Sequence, residues 1–551
     1  MSNKISVGPI ELEVVSNALL SVSEEMGAVL VRTSQSTNIK ERRDCSCAIF
    51  DSRGEVIAQA EHVPMHLGSM LGIVLAILKA FPAEDIRPED MFITNDPFSG
   101  GGTHLPDITV AAPVFDGDRL IGFVANIAHH SDVGGRVAGS SSGDCTSIFE
   151  EGLRIPVLKV IERGSVKKDV ISFILLNCRT PEERLADLEA QFASNRMGIL
   201  RMRELFKKFG VDFITAACEE LLDYAERKIR QAIQSVPDGG YTFEDYLDDD
   251  GKGLTKIPVR VRVEVKGDSI QFDFGGTGRQ VRGGINLVYT ALQATVYYAL
   301  KAILDPTIPP NGGYYRAIKI IAPEESLVNA QSPAAVAGRT DAAQRVADVI
   351  FGALAQAVPD RVVAGCHSAV TVPIFSGVDP RTAKQYVYLE SIGGGMGARK
   401  DRDGLDGVQV HVTNTSNLPV EAMENEYPLI VERLELIPDS GGTGRYRGGL
   451  GIRKDIRIVG HACHFASHGD RQHIPPWGLF GGRPGRCGRM VIRKKDGKEI
   501  VLPSGKNSEI LLRDGDTFSV ETPGGGGWGS AAERPLELRQ RDLADQKVTK
   551  P

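Results

Sequence analysis

Three side chains of types that bind metal ions, His104, Asp107 and His129, lie in one segment that reads NDPFSGGGTHLPDITVAAPVFDGDRLIGFVANIAHHSD. Two imidazoles and one carboxylate, with room left for water or substrate, suit Zn²⁺, Fe²⁺ or Mn²⁺ in a catalytic role. A closed structural zinc site would require a fourth protein ligand. The chemistry therefore depends on whether the fold brings these three residues to one ion.

A predicted β-hairpin brings Asp107 and His129 together. Residues 108–115 and 120–128 are apolar, β-prone runs joined by the turn sequence DGDR. A hairpin centred between residues 117 and 118 pairs positions whose numbers sum to about 235, and Asp107 and His129 sum to 236. Facing Cα atoms in such a pair lie roughly 4.5 to 5.5 Å apart. Both side chains can then reach one ion.

His104 needs a different route to the same ion, because Pro106 argues against a helical turn between it and Asp107. We expect a curved loop, in which residues 100–102, all glycine, give the backbone the freedom to bring His104 round. If the strand continues, His130 points to the opposite side from His129. It then either supports a ligand or packs in the core.

Three further residues are candidates for proton transfer, or for orienting His129 through its second ring nitrogen: Asp132, Glu151 and His130. The two carboxylates follow the histidine end of the hairpin. The alternative for each of them is a surface or loop-capping role.

Other motifs give weaker signals. Residues 139–143, GSSSG, match the Gly-x-Ser-x-Gly pattern but follow no apolar strand, so we expect a flexible serine loop rather than a nucleophile elbow. Four histidines in HACHFASHGDRQH are interpreted as structural or interfacial: His461, His464, His468 and His473. His62 and His66 are separated by Pro64, which weakens a helical metal pair, although they could line a pocket.

Composition indicates an ordinary globular protein. The chain has 551 residues, of which 42% are hydrophobic and 25% charged, with a formal net charge of -7. The chain therefore has neither the excess of basic residues that is typical of nucleic-acid binders nor the low hydrophobicity of disordered chains.

No run of about 20 apolar residues and no signal peptide are evident in the sequence. Eight scattered cysteines without a CxxC pair favour reduced thiols, so we expect a soluble, cytoplasmic protein that does not associate with membranes.

The patterning predicts an α+β, multidomain fold. Residues 1–245 are expected to form an N-terminal mixed α/β domain that carries the metal site and a helical segment at residues 180–234. Residues 246–404 are expected to form a central α/β region, with helices at 287–304 and 341–356. Residues 405–551 are predicted to be β-rich, with glycine loops and a frayed tail.

Seven motifs together resemble the hydantoinase B/5-oxoprolinase family, and they occur in order over nearly the whole chain. They read NDPFSGGGTHLPDITVAAPVF, AHHSDVGG, EEGLRIP, FDFGGTGRQVRGGIN, PAAVAGRTDAAQRVAD, NTSNLPVEAMENEYP and DSGGTGRYRGGLGIRK. The resemblance implies a subunit that acts with a hydantoinase A-type partner, in a hetero-oligomer with more than one copy of each. The partner would bind ATP with Mg²⁺, which fits the absence of a Gly-x-x-x-x-Gly-Lys-Ser/Thr loop from this chain.

The resemblance also implies a function. The partner would phosphorylate a cyclic amide such as a hydantoin, 5-oxoproline or a lactam, and this chain would open the activated ring by adding water. In related ketone carboxylases the homologous chain holds manganese through a His-x-x-Asp pair and a later histidine, which correspond here to His104, Asp107 and His129. Two alternatives stay open: a subunit of a ketone carboxylase, and a noncatalytic scaffold subunit with a structural metal.

Overall fold

The hairpin predicted for residues 107–129 forms the centre of a seven-stranded sheet in the computed structural model, which describes residues 5–60 and 63–550. The strand order is β2-β1-β5-β4-β3-β6-β7. The strands are β1 (Cys45–Asp51), β2 (Val56–Ala60), β3 (Met91–Thr94), β4 (Asp107–Asp116), β5 (Arg119–His129), β6 (Leu158–Glu162) and β7 (Ser165–Val166).

Seven helices accompany this sheet. They are α1 (Pro9–Thr33), α2 (Thr37–Lys40), α3 (His66–Ser69), α4 (Ile73–Ala80), α5 (Lys168–Leu176), α6 (Pro181–Phe209) and α7 (Val211–Ile233). The last two are the helical segment predicted from the sequence. Helices α1 and α6 pack against each other, and both pack on the sheet.

α1 is long and apolar enough, by length and composition, to cross a membrane. In the structure its buried side chains Leu19, Met26 and Leu30 belong to the largest hydrophobic core. The helix packs beside α6 and the strands β1 and β2. Burial in that core accounts for its apolar face.

The central region follows with a second sheet, in the order β11-β10-β9-β8. Its elements are β8 (Gly239–Asp249), β9 (Thr255–Lys266), β10 (Ser269–Asp273), α8 (Tyr289–Leu304), α9 (Gly312–Tyr315), β11 (Ile318–Ile321) and α10 (Arg339–Leu354). Residues of α8, α10 and β9 join the same core as the N-terminal sheet. The domain limits at 245 and 404 stay predictions.

The rest of the described chain contains two antiparallel sheets, ordered β13-β12-β16-β19 and β14-β15-β20-β17-β18. The elements are β12 (Val372–Val378), β13 (Gln385–Leu389), α11 (Val420–Glu426), β14 (Leu429–Leu436), β15 (Ile452–Ile458), β16 (Cys463–His468), β17 (Arg489–Arg493), β18 (Glu499–Val501), β19 (Asn507–Leu512), β20 (Thr517–Glu521) and α12 (Leu536–Ala544). The predicted α+β, multidomain class is confirmed, and all eight cysteines are free thiols.

A buried ionic network ties the central region to the C-terminal strands. Arg471 lies 2.7 Å from Asp245 of β8 and 2.8 Å from Asp348 of α10. Arg345, also of α10, lies 3.1 Å from Asp245 and 2.8 Å from Asp470. Each charge in this group is therefore paired by at least one opposite charge, which offsets the large cost of removing it from water.

We predict that Arg471→Leu lowers the free energy of unfolding by about 3–5 kcal/mol, because it leaves two buried carboxylates without their shared cation. Urea denaturation followed by circular dichroism measures the change. The matched control is Arg279→Leu, which breaks an exposed pair with Glu325 and should cost about 1 kcal/mol or less. Equal effects of the two substitutions would contradict the stabilising role of the network.

Candidate functional site

The loop before β4 folds back so that His104 meets Asp107. Gly102 has a φ of +91°, and a Cβ at that position would lie 2.7 Å from the Asp107 carbonyl oxygen, so the close approach requires glycine. Thr103 donates a hydrogen bond to Asp107 Oδ2 at 2.8 Å. As a result, His104 Nε2 lies 3.1 Å from Asp107 Oδ1. The curved glycine loop expected from the sequence is confirmed.

Strand pairing brings His129 to the same place. Asp107 is the register partner of His129 in the β4–β5 ladder, as predicted. The ligand atoms of His104, Asp107 and His129 all lie within 4.8 Å of one another, and all three residues are buried. An ion that each ligand atom approaches to about 2.0–2.2 Å requires these atoms to lie within about 4.4 Å of one another, so small side-chain rotations would close the group on one ion. Their role as metal ligands stays a prediction.

Arg339, at the start of α10, compensates the charge of Asp107. Its Nη2 lies 2.9 Å from Asp107 Oδ2, and its Nε donates to Thr103 Oγ1 at 2.7 Å. Burial alone would raise the pKa of the Asp107 carboxyl, but His104 and Arg339 outweigh burial and hold that pKa well below its usual value. Asp107 is therefore ionised. Its Oδ2 accepts hydrogen bonds from Thr103 and Arg339, and its Oδ1 faces His104.

The hydrogen bonding of His104 tests whether a cation fits. Its Nδ1 lies 3.2 Å from the carbonyl oxygen of Ala337 and its Nε2 lies 3.1 Å from Asp107 Oδ1, and both of these oxygens can only accept. Burial, followed by Arg339, lowers the pKa of His104 to about 3, so the ring is neutral. The neutral ring therefore has one proton for two acceptors, and with that proton on Nδ1 the lone pair of Nε2 faces Asp107 Oδ1 at 3.1 Å. A cation bound by both atoms would remove this repulsion, so the residues fit a metal ion.

His129 is oriented by a polar chain from α2. Asn38 Nδ2 lies 3.2 Å from His129 Nδ1, and Asn38 Oδ1 accepts a hydrogen bond from Arg42 at 2.8 Å. Burial is the main cause that lowers the pKa of His129 to about 3. The ring is therefore neutral, and because Nδ1 accepts from Asn38 its proton lies on Nε2. A cation bound at Nε2 would require the Asn38 amide to turn, so that its oxygen accepts from Nδ1–H.

A small cavity of about 40 Å³ adjoins His104 and His129. A water molecule needs roughly 10–15 Å³ of such space, so the cavity can hold a few waters or part of a small substrate. Its wall includes Asp44 and His66, neither of which the sequence pointed to as a ligand, and the possible pocket role of His66 is confirmed. His62 lies outside the described residues.

The position of Asp44 follows from the sheet. Cys45, the first residue of β1, pairs with Ala128, so Asp44 lies opposite His129, whose N–H donates to the Asp44 carbonyl oxygen at 3.0 Å. Asp44 thus adds a second carboxylate to the end of the sheet where Asp107 lies. The signal available in the sequence was only an acidic residue immediately before a predicted strand.

The side chain of His130 points away from the ligand group, as expected for the residue after His129. Its Nε2 lies 3.0 Å from Gln191 Oε1 of α6, and its Nδ1 has no hydrogen-bond partner in the described part of the chain. Burial, followed by Arg184, lowers its pKa to about 4. Its contacts are those of a core residue beneath the sheet.

Asp132 organises a loop. Its carboxylate accepts hydrogen bonds from the backbone N–H groups of Gly134 and Gly139, at 3.2 Å each, and it pairs with Arg179 at 2.8 Å. None of these contacts orients His129, whose Nδ1 is approached by Asn38 instead. The loop-capping alternative describes the observed geometry of Asp132.

Glu151 contacts the ligand group indirectly, through the backbone of Ala337. Its Oε1 accepts from the N–H groups of Val336 and Ala337, at 2.7 and 2.8 Å, and the carbonyl of Ala337 is the acceptor for His104. Burial raises the pKa of Glu151 to about 8, although these two N–H donors oppose the rise. Glu151 is therefore mostly protonated at neutral pH.

A second group with metal-ligand chemistry was not predicted: Asp348, Cys366 and His411. Asp348 already accepts from His411 Nε2 at 3.0 Å and from Arg471 at 2.8 Å. Burial opposes it, but Cys366 and Asp348 raise the pKa of His411 to about 10. With two cations beside it, Asp348 has its charge compensated, and the group belongs to the buried network that joins α10 to the C-terminal strands.

We predict that Glu151→Gln changes the pH dependence of stability. Because the pKa of Glu151 is about 8 in the folded protein and near 4.5 when exposed, the wild type loses stability as pH rises through this window. Glutamine keeps the two N–H contacts and does not ionise. The stability of the variant minus that of the wild type should therefore increase from pH 5 to pH 8, as measured by urea midpoints.

The matched control is Glu189→Gln, at an exposed position of α6. Parallel pH curves for wild type and Glu151→Gln would show that Glu151 ionises normally in the folded protein.

The comparisons with known proteins concern nearly the whole chain. The sequence profile described as hydantoinase B/oxoprolinase matches residues 8–531. The B-type subunit of a putative D-/L-hydantoinase from Pseudomonas sp. (strain NS671) is 34% identical over 99% of this chain and 94% of its own length. The crystal structure of an ATP-dependent caprolactamase from Pseudomonas jessenii superposes with a TM-score of 0.93, at 31% identity, over 99% of this chain and 95% of the other.

A nucleotide-free structure of acetone carboxylase is also similar, with a TM-score of 0.91 over 98% of this chain and 78% of that one, at 18% identity. At that identity the likeness shows the fold alone. The match to the profile covers nearly all of the described chain and includes the segment that carries the three candidate ligands. The chain belongs to the hydantoinase B/oxoprolinase family.

Proposed function

We propose that this chain is the metal-dependent subunit of an ATP-dependent enzyme that opens cyclic amides such as hydantoins, 5-oxoproline or lactams. The observation that carries the proposal is the cavity beside two neutral imidazoles and an ionised carboxylate, with space for water at the ligand atoms. The family assignment supports the class of reaction, since relatives are named a hydantoinase subunit and a caprolactamase.

In this proposal His104, Asp107 and His129 hold a divalent ion, Zn²⁺, Mn²⁺ or Fe²⁺. When bound, such an ion lowers the pKa of its water to roughly 7 and polarises a carbonyl or phosphoryl oxygen. Glu151 positions His104 through the backbone of Ala337, rather than moving protons itself. His130 and Asp132 support the sheet and the loop that surround the site.

Charge in the cavity wall suits a phosphorylated ring. Arg42 and Arg339 both line the cavity. Arg339 already bonds Asp107 and Arg42 already bonds Asn38, so their positive charge, rather than free paired donors, would attract a phosphoryl group on the ring oxygen. Phosphate is a better leaving group than the oxygen of an amide, so the ring carbon becomes open to attack.

ATP with Mg²⁺ would be bound by a hydantoinase A-type partner. The hydantoinase relative is named as one lettered subunit of its enzyme, which supports a multi-subunit assembly. We propose a cytoplasmic hetero-oligomer with more than one copy of each subunit. Each subunit then lowers a different part of the barrier, since one activates the ring and the other adds water.

Two other functions are less well supported. The alternative of a ketone carboxylase subunit rests on the similarity to acetone carboxylase, which shows the fold alone. A scaffold with a structural metal would leave no space beside the ligands, whereas this group opens on a cavity of about 40 Å³. Cyclic amide hydrolysis is therefore the function that the site supports best.

We predict that His104→Ala and Asp107→Ala lose the bound metal and lower ATP-dependent ring opening by roughly 100-fold or more, because even residues that merely orient metal ligands contribute 10- to 100-fold. The complex with its partner subunit is assayed on hydantoin, 5-oxoproline and caprolactam. Metal content is measured by inductively coupled plasma mass spectrometry.

The control variant is His464→Gln, at an exposed histidine of β16, which should keep both metal and activity. Retention of metal and full activity by His104→Ala would remove the assignment. Bicarbonate labelled with ¹³C, supplied with the ring substrates and with acetone, separates the alternatives: a carboxylase retains the label in its product, and a ring hydrolase does not.

A further inference from the structure

Ser141, the central serine of GSSSG, lies beside His468 on the wall of the same cavity. Its Oγ is 3.3 Å from His468 Nε2, and a longer contact of 3.4 Å reaches the Ala337 carbonyl oxygen. On the other side of the ring, His468 Nδ1 is 3.5 Å from Asp341 Oδ2. The order is hydroxyl, imidazole and carboxylate. The hydroxyl and the imidazole are within hydrogen-bond distance, whereas His468 Nδ1 and the carboxylate lie at ion-pair distance without a hydrogen bond.

Asp341 makes no hydrogen bond among the residues that the structure describes, although the buried cation Lys506 lies near enough to interact with its charge. Asp341 is fully buried, and neither carboxylate oxygen has a hydrogen-bond partner within residues 5–60 and 63–550. A buried carboxylate left without donors is costly, so its approach to His468 needs an explanation beyond packing. Asp341 lies in the first turn of α10, where the helix dipole favours a negative charge. It is therefore suited to stabilise a protonated His468.

The loop that carries Ser141 is held firmly, in contrast to the flexible loop expected from the sequence. Ser140 Oγ donates to the Gly134 carbonyl at 2.7 Å and accepts from the N–H of Val133 at 2.9 Å. A Cβ at Gly143 would lie 3.2 Å from His468 Cβ, so the loop packs closely on the end of β16. The hydroxyl of Ser141 is thus presented to the cavity from a fixed position.

We propose that Ser141, His468 and Asp341 form an acyl-transfer triad in this cavity, with Ser141 Oγ as the nucleophile. The proposal rests on the ring-opening function and adds a covalent step to it. His468 takes the hydroxyl proton at Nε2, and Asp341 fixes the ring and stabilises its charge from Nδ1. Because the cavity also borders His104 and His129, the acyl group forms beside the candidate metal ligands.

Ser141 Oγ bonds to the ring carbon, its proton passes to His468, and inorganic phosphate leaves with the carbon–oxygen bond electrons. One water then adds to the same carbon, and the ring nitrogen departs as an amine after taking a proton from His468. The ring is now open and the acyl group is an ester of Ser141. A second water hydrolyses this ester and returns a hydrogen to Oγ.

We predict that Ser141→Ala lowers kcat for ATP-dependent ring opening in the complex by about 1,000-fold or more, while metal content stays at the wild-type level. His468→Asn and Asp341→Asn should lower it by roughly 100-fold or more, because each impairs proton transfer from Ser141. The control is Ser142→Ala, whose hydroxyl instead donates to Asp144. Quenched turnover followed by peptide mass spectrometry should find the ring-opened acyl group on Ser141.

The outcomes separate this inference from the proposed function. If Ser141→Ala stays within threefold of wild type while His104→Ala is inactive, the triad is overturned and metal-dependent ring opening stands. If His104→Ala is active while Ser141→Ala is not, the triad stands and the metal role fails.

A probe that needs neither ring substrate nor partner activity completes the test. Diisopropyl fluorophosphate reacts with a serine whose proton is removed by a neighbouring base, and fluoride leaves. Applied to the complex, it should label Ser141, with Ser142→Ala labelled at the same rate and His468→Asn at least about 100-fold more slowly. Labelling that is absent from Ser141, or equal in His468→Asn, would overturn the triad even if every ring tested is inert.

Discussion

The candidate site depends on the backbone pairing of β5 with its two neighbours, β1 and β4. At one end of these three strands the pairing sets Asp44 and Asp107 on either side of His129. Side chains alternate between the two faces of a strand, so a shift of one residue in the β4–β5 ladder would turn Asp107 and His129 to opposite faces. The hydrogen bonds between the paired strands, rather than the few hydrogen bonds of the ligand side chains, therefore fix the positions of Asp107 and His129.

Charge compensation then couples this sheet to the central region. Asp107 is buried among apolar strands, and an isolated carboxylate there would be protonated or would destabilise the fold. The compensating cation, Arg339, comes from the first residue of α10, and it also holds Thr103 in the loop that carries His104. The ligand group is consequently complete only when α10 has packed against the sheet.

Features that depend on residues near one another in the sequence could be predicted, whereas contacts between distant segments could not. The hairpin register, the glycine loop at residues 100–102 and the helices α6 and α7 all follow from local periodicity and turn chemistry, and the structure confirms them. Asp44 and Arg339 could not be predicted in this way, because their approach depends on which strand or helix packs next to β4 and β5. The same holds for Ser141 and His468, since GSSSG resembles any polar loop until β16 is placed against it.

The segment just before α10 connects the two kinds of chemistry. The carbonyl of Ala337 accepts from His104 and lies within reach of Ser141, while its N–H is bound by Glu151. This one-residue unit thus contacts both the imidazole of a candidate ligand and the hydroxyl of Ser141. A shift of this unit would disturb both groups together. A largely protonated Glu151, buried where it cannot easily exchange its donors for water, is a physical reason why the unit keeps its place.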